Sequence, residues 1–124
     1  MPHAIRVVTL TERVLAEHPD WQLVTERELR ADRYRKRRAG TVVTGRIPDG
    51  LFITPSGQRI ALEVDETSKR SRDVESIIAD YRYSDEQYDR ILWYAAAGRI
   101  AARIHQIVQD NQAADLIEVR EWRA

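Results

Sequence analysis

The chain has 124 residues, of which 43% are hydrophobic and 32% are charged, and this composition predicts a soluble protein with a single domain over residues 1–124. Twenty basic residues balance 20 acidic ones, which excludes a global basic field for nucleic-acid binding, and the absence of cysteine excludes disulfides, thiolate metal sites and cysteine nucleophiles. No segment approaches the roughly 20 apolar residues of a membrane span, and the first residues carry no cleavage signal, so we expect a cytoplasmic protein without membrane contact.

The first elements are predicted from capping and alternation. Residues Thr9 to Glu12 have the pattern of a helix start, with a threonine cap and a carboxylate in the first turn. This helix is expected to end at His18-Pro19, because the residue before a proline avoids helical angles. Residues 21–25 alternate apolar and polar side chains, which predicts a strand or an extended lead into a helix. The highly charged residues 26–38 are then either helical or partly disordered.

The middle of the chain carries the clearest strand signal. Residues 39–46 contain two glycines and predict a loop, with a short extended piece at residues 41–43. Residues 51–54 and 60–64 are strand-like runs. Pro55-Ser56-Gly57 between them fits a three-residue hairpin loop with glycine in the left-handed conformation.

The C-terminal half predicts two helices and two strands. Residues 71–82 and 99–109 carry apolar side chains at helical spacing. Residues 90–95 form a continuous apolar run, as expected for a strand buried on both faces, and residues 116–122 predict an edge strand. The resulting order of α, β, β, β, α, β, α, β predicts an α/β fold with a mixed sheet.

The predicted hairpin brings acidic side chains together. If Thr54 faces Gln58, then Asp49 faces Glu63, and the apolar alternate positions form the core. The other face carries Asp49, Glu63 and Asp65. Opposed like charges destabilise a strand pair. Protonation of one acid, an arginine or lysine, or a divalent cation such as Mg²⁺ or Mn²⁺ can relieve the repulsion.

Two interpretations of these acids remain open on spacing alone. In one, a metal ion activates water and stabilises the charge on a phosphodiester, with Lys69 beside the phosphate. In the other, the acids form surface salt bridges with Arg46, Arg59 and Lys69.

Pro48-Asp49-Gly50, followed on the next strand by Glu63-Val64-Asp65, resembles the signature of the PD-(D/E)XK nuclease superfamily, and the αβββαβ order matches its common core. Most of the chain further resembles the nuclease-like domain of bacterial replication-relaxation family proteins. The matching segments are Pro2-His3-Ala4, Trp21 with residues 25–29, Pro48-Asp49-Gly50, Glu63 to Lys69, and Leu92-Trp93-Tyr94.

This resemblance implies a restriction-endonuclease-like αβββαβ core with an extra C-terminal helix and strand. It implies metal-dependent hydrolysis of DNA in plasmid or mobile-element replication or transfer, with Asp49 and Glu63 as metal ligands and Glu26 as an additional acid. The superfamily usually has lysine where this chain has Asp65, and an anion cannot stabilise developing negative charge as lysine does. Either Lys69 substitutes, or Asp65 recruits more metal, or the site only binds. The predicted catalytic residues are Asp49, Glu63, Asp65 and Lys69, and the predicted ligands of Mg²⁺ or Mn²⁺ are Asp49, Glu63, Asp65 and Glu26.

A dense basic run lies between Arg27 and Arg38. We interpret it as an arm that contacts DNA phosphates, because four consecutive basic residues repel one another unless an anion is near. A solvated helix face is the alternative. Tyr34 either stacks on a base or packs on the domain. The predicted DNA-binding residues are Arg33, Arg35, Lys36, Arg37 and Arg38.

Two further function classes compete with the nuclease. One is a catalytically inactive DNA-binding accessory module that keeps the fold and the basic arm. The other is a protein–protein adaptor that uses the aromatic helix-to-strand turn or the final edge strand. Partners under these hypotheses include a second copy of the chain in a homodimer, and other replication or transfer proteins.

Overall fold

The architecture is a mixed β-sheet with helices on both faces. The computed structural model describes residues 2–67 and 69–123, and Ser68, which belongs to the matched segment after Glu63, lies outside this part. The elements are α1 (His3–Glu17), β1 (Gln22–Thr25), α2 (Glu26–Arg38), β2 (Gly50–Ile53), β3 (Arg59–Asp65), α3 (Ser71–Arg82), β4 (Arg90–Ala96), α4 (Arg99–Asp110) and β5 (Ile117–Trp122). These strands form one sheet in the order β1-β2-β3-β4-β5, so the predicted mixed α/β class is confirmed.

The β2–β3 hairpin has the predicted register. Phe52 pairs with Ile60, and the Thr54 N–H donates to the Gln58 carbonyl at 3.0 Å. Gly57 adopts a φ of 85°, a left-handed conformation that glycine reaches without a steric cost. β1 and β2 are also antiparallel, whereas β3–β4 and β4–β5 are parallel. β1 and β5 are the two edge strands, as predicted for β5.

Alternate side chains of the central strands pack into two separate core layers. On one face, Phe52 and Leu62 cluster with Val14 of α1. On the opposite face, Trp93 clusters with Ile78 of α3 and with apolar residues of α4. The acid-bearing face of β3 is therefore a second core layer and is covered by helices.

α1 begins at His3, so the predicted start at Thr9 is wrong. The Thr9 hydroxyl donates to the Ile5 carbonyl at 3.0 Å, one turn back inside the helix, and does not cap it. The predicted end is confirmed, since the helix stops at Glu17 and the His18 ring stacks on Trp21 at 3.8 Å between centroids. Among the described helices α1 is the longest, at 15 residues, and none has the length and apolar character to cross a membrane.

α2 is a continuous helix, which decides between the two readings of residues 26–38. Its start is a capping box, in which Thr25 Oγ1 accepts from the Glu28 N–H at 3.2 Å and Glu28 Oε1 accepts from the Thr25 N–H at 3.3 Å. Residues 41–43 form no strand, contrary to the prediction of a short extended piece there. β1 and β3 already pair with both edges of β2, so the loop that leads into β2 cannot pair with β2 itself.

Candidate functional site

Asp49 connects the β2–β3 hairpin to the first helix. Its N–H donates to the Leu62 carbonyl at 2.9 Å, and its Oδ2 accepts from the Val64 N–H at 2.8 Å. The carboxylate thus satisfies a β3 amide just before β2 begins. The other oxygen, Oδ1, lies 3.2 Å from His3 Nε2 of α1, and the Asp49 side chain is only 16% exposed.

Glu63 is held in a buried network with Arg46 and Tyr81. Arg46 Nε donates to Glu63 Oε1 at 2.5 Å, and Arg46 Nη2 donates to Oε2 at 3.2 Å. The Tyr81 hydroxyl of α3 also donates to Oε1. Both carboxylate oxygens therefore already accept from a cation, and a guanidinium supplies the positive charge that the buried acid needs.

Burial sets the proton affinities in this network. It raises the pKa of Glu63, while the hydrogen bond and charge of Arg46 oppose that rise. The Asp49 charge adds a smaller contribution to the raised pKa of Glu63. Burial and then the Glu63 charge raise the pKa of the Tyr81 hydroxyl well above its usual value. Tyr81 therefore remains a hydrogen-bond donor across the physiological pH range.

Asp65 occupies a third, separate set of contacts. Its Oδ1 lies 3.1 Å from Lys69 Nζ, and its Oδ2 accepts from Trp93 Nε1 at 3.4 Å. The Asp65 side chain is 3% exposed, and its backbone carbonyl accepts from Trp122 Nε1 at 3.3 Å. Lys69 thus places a positive charge beside the buried Asp65 carboxylate.

These carboxylates do not fit a Mg²⁺ or Mn²⁺ site as they are arranged. Asp49, Glu63 and Asp65 each accept from different donors, and among residues 2–67 and 69–123 no group of three or more His, Asp or Glu side chains is placed to hold a metal ion. Arginine and lysine relieve the acid repulsion, as one of the predicted alternatives requires. The ion pairs are buried, however, and not on the surface as predicted, because helices cover this face. Arg59, the third predicted cation, pairs with Glu86 at 3.1 Å instead.

Glu26 faces a cleft that it shares with Asp49. The cleft has a volume of about 250 Å³ between α1 and the start of α2, and its polar lining includes His3, Arg27 and both acids. Glu26 is paired with Arg30 at 2.8 Å. Of the four predicted metal ligands, Glu26 and Asp49 therefore line one cleft. Glu63 and Asp65 lie instead in the buried ion pairs of β3.

Arg33 points into the domain, which corrects its prediction as part of an exposed arm. Its Nη1 donates to the Gly45 carbonyl at 2.6 Å and its Nη2 to the Arg46 carbonyl at 3.4 Å. Its Nε lies 3.6 Å from Glu86, and the side chain is 16% exposed. Arg33 therefore holds the loop that carries Arg46 against α2 by hydrogen bonds to its backbone.

The other predicted DNA-binding residues are exposed on the last turns of α2. Lys36 lies 2.9 Å from Asp32, and Arg35 lies 3.5 Å from the same carboxylate. The hydrogen bond from Lys36, partly opposed by burial, lowers the pKa of Asp32. Arg38 approaches Tyr34, with its Nη1 3.4 Å from the phenol oxygen. Asp32 thus pairs with two cations of this surface, and the surface keeps a local excess of positive charge.

A groove separates α2 from the loop that follows it. Its volume is about 260 Å³, and its lining residues are Arg33, Tyr34, Arg37, Val42 and Val43. Tyr34 is 61% exposed and Val42 is 68% exposed. Apolar and aromatic surface therefore lies beside guanidinium groups on the basic face of the domain.

The loop between α2 and β2 has a second anchor. Asp85 Oδ2 accepts from both the N–H and the hydroxyl of Thr44, each at 2.8 Å, and these bonds lower the pKa of Asp85. Gly45 adopts a φ of 108°, and a Cβ at this position would overlap Ser84. Glycine is therefore required where the loop approaches the α3–β4 connection, and this approach positions Arg46.

Sequence reasoning missed three participants of the site. His3 touches Asp49 from 46 residues away, and no local pattern predicts that contact. Tyr81 falls at the helical spacing of the apolar residues in 71–82, and that spacing is the only sequence signal that it faces the sheet. The loop anchor at Asp85 had no signal. Comparisons of the chain with protein-family models, with curated proteins and with solved structures find no match.

Proposed function

We propose that this chain is a DNA-binding accessory domain that contacts the phosphate backbone through the C-terminal turns of α2. The observation that carries the proposal is the exposed basic surface made by Arg35, Lys36, Arg37 and Arg38. With seven basic and three acidic residues, α2 has a formal charge of +4 in a chain whose net charge is zero. The proposal includes a restriction-endonuclease-like fold and plasmid or mobile-element DNA, which the sequence resemblance implies.

The electrostatics favour an anionic partner over a merely solvated helix face. The positive charge is concentrated in the last turn, where it also complements the negative end of the helix dipole. Four cations occupy this turn, and like charges at such short spacing repel one another. Asp32 is the acid that pairs with this surface, and phosphates supply the remaining negative charge.

Salt-dependent binding to a 20-base-pair duplex tests the proposal. The variant Lys36→Gln/Arg37→Gln/Arg38→Gln removes three charges while keeping good helix formers. The control Arg13→Gln/Arg99→Gln/Arg123→Gln removes three charges from exposed positions outside α2. The α2 variant is expected to bind at least about tenfold more weakly at low salt, and its slope of log K against log salt should fall by up to about 2.7, or roughly 0.9 per lost phosphate contact.

The control variant shows whether binding depends on the charges of α2 or only on the total charge of the protein. Equal losses in both triple variants contradict a binding surface on α2. If the wild-type protein shows no affinity for the duplex or for a single strand at low salt, DNA binding itself is wrong.

Phosphodiester hydrolysis is the second candidate function. It is favoured by the cleft that Asp49 shares with Glu26. It requires the Arg46 guanidinium to leave Glu63, because that carboxylate is otherwise fully engaged. This requirement ranks hydrolysis below binding.

Cutting assays separate the two candidates. Supercoiled and single-stranded DNA are incubated with Mn²⁺ or EDTA, beside Asp49→Ala and Glu63→Gln variants and an Asp115→Ala control at an exposed position. Cleavage that needs both acids and the metal, and survives in the control, supports hydrolysis. Binding that persists in EDTA without cleavage supports the accessory domain.

A further inference from the structure

The groove beside α2 combines three kinds of surface that nucleobases contact. Tyr34 offers an aromatic face and is 61% exposed, and Val42 offers an aliphatic wall that is 68% exposed. Arg37 lines the same groove. Stacking of a base on an aromatic ring and contact with a guanidinium are the recurring interactions of single-strand binding.

Hydrogen bonds from one lining residue hold the groove in place. Arg33 lines the groove and donates to the Gly45 and Arg46 carbonyls, so the loop opposite Tyr34 is attached to α2. The Arg38 guanidinium carbon lies 6.0 Å from the centroid of the Tyr34 ring, at the outer limit of a cation–π contact. A base entering the groove therefore meets an aromatic ring beside positive charge.

The size of the groove limits its occupant. Its volume of about 260 Å³ lies just below the roughly 300–1,000 Å³ typical of sites for drug-sized ligands. A single planar heterocycle suits such a space. In duplex DNA the faces of the bases are stacked on their neighbours, and a surface tyrosine reaches one only after the base leaves the stack.

We infer that this groove binds one unstacked base of single-stranded DNA, with Tyr34 as the stacking platform. This inference rests on the proposed DNA binding and adds the preferred form of the DNA. The phosphates of the same strand lie along the cations that end α2, while the base enters between Tyr34 and Val42. Duplex DNA contacts only the cations, through its phosphates.

Binding of labelled 20-mers tests this assignment by fluorescence anisotropy. The probes are dT20, a duplex of the same length, and a 20-mer whose backbone carries no bases. The variants are Tyr34→Ala and the conservative control Tyr34→Phe, which keeps the ring and loses the hydroxyl. Thermal unfolding of each variant checks that the fold is retained, as expected for an exposed side chain.

Tyr34→Ala is expected to weaken dT20 binding at least about fivefold, the lower end of the measured range for one base stacked on an aromatic side chain. Its affinity for the duplex and for the abasic strand should change less than about twofold, because phosphate contacts remain. Tyr34→Phe should bind all three probes as the wild type does. The salt slope of Tyr34→Ala should also match the wild type.

Three results overturn the base site. They are unchanged dT20 binding in Tyr34→Ala, an equal loss for dT20 and duplex, and a loss for the abasic strand as large as for dT20. Each of these leaves phosphate binding by α2 intact. Failure of the wild-type protein to bind any probe refutes the proposed function instead.

Discussion

Arg46 and Glu63 form a two-point ion pair in which the carboxylate side chain is 5% exposed and the guanidinium side chain is 34% exposed. The pair joins the loop before β2 to the middle of β3. It occupies the carboxylate that the nuclease prediction assigned to a metal ion. Its stability therefore bears on both the fold and the candidate chemistry.

Removal of the arginine should strongly destabilise the protein. Arg46→Ala leaves the Glu63 charge buried without its cation, and we expect a loss of about 2–4 kcal/mol in the free energy of unfolding, below the roughly 3–5 kcal/mol for fully buried pairs because Arg46 is partly exposed. Urea unfolding at pH 7 measures the loss. The loss should shrink as the pH falls below 7, because the variant removes the interaction that lowers the Glu63 pKa and the acid then protonates more readily.

Arg46→Met/Glu63→Met serves as the matched variant. If it is about as stable as the wild type while Arg46→Ala is not, the cost arises from the unpaired charge. An Arg46→Ala protein as stable as the wild type at pH 7 contradicts the buried ion pair.

Tyr81→Phe should destabilise the domain by about 1.5–3 kcal/mol, the usual contribution of a hydrogen bond to a charged group. The substitution keeps the ring, which is 3% exposed, and removes only the donor to Glu63. Tyr83→Phe is the control, since Tyr83 is 82% exposed. Equal stability of the two variants in urea unfolding would show that the hydroxyl does not stabilise the acid.

Protonation of Glu118 should lower the stability of the protein in acid. Burial raises its pKa, but the hydrogen bonds and charges of Arg120 and Arg90 outweigh burial, and the pKa lies below its usual value of 4.5. The folded state therefore binds fewer protons at this site than the unfolded state. The stabilisation is present above pH 4.5 and is lost as the pH falls through the folded pKa.

Urea unfolding from pH 7 down to pH 3 tests this sign. Glu118→Gln should be less stable than the wild type at pH 7, and the difference should shrink on acidification. A difference that is constant with pH, or that grows toward low pH, contradicts the assignment.

Gly45→Ala should be more destabilising than Gly40→Ala. Both positions have positive φ, of 108° and 94°, so both variants incur a backbone cost of roughly 1–2 kcal/mol. An added Cβ overlaps Ser84 only at position 45, since nothing lies within 4 Å at position 40. We expect about 1–3 kcal/mol of extra destabilisation from this overlap.

Comparison of thermal and urea unfolding for the two glycine variants measures this difference. Gly45→Ala/Ser84→Gly should recover part of the loss. Equal stability of the two single variants would mean that the loop does not approach Ser84 in solution.

The sequence alone determined the local elements and one register. Residues 71–82 form the helix that their apolar spacing predicts, and the hairpin around Gly57 pairs as predicted, because side-chain periodicity and turn geometry act over a few residues. The acids of β3 were likewise identified before their surroundings were known. The start of α1 was misplaced, because a threonine that looks like a cap bonds to its own helix instead.

The tertiary structure alone decided what those acids do. Arg46 reaches Glu63 only because the loop is clamped by Arg33 and by Asp85, residues far apart in sequence. Tyr81 reaches the same carboxylate only because α3 packs over the odd-numbered face of β3. A strand pattern shows which side chains share a face, but the cover of that face depends on long-range packing, and burial then selects a cationic partner for each acid.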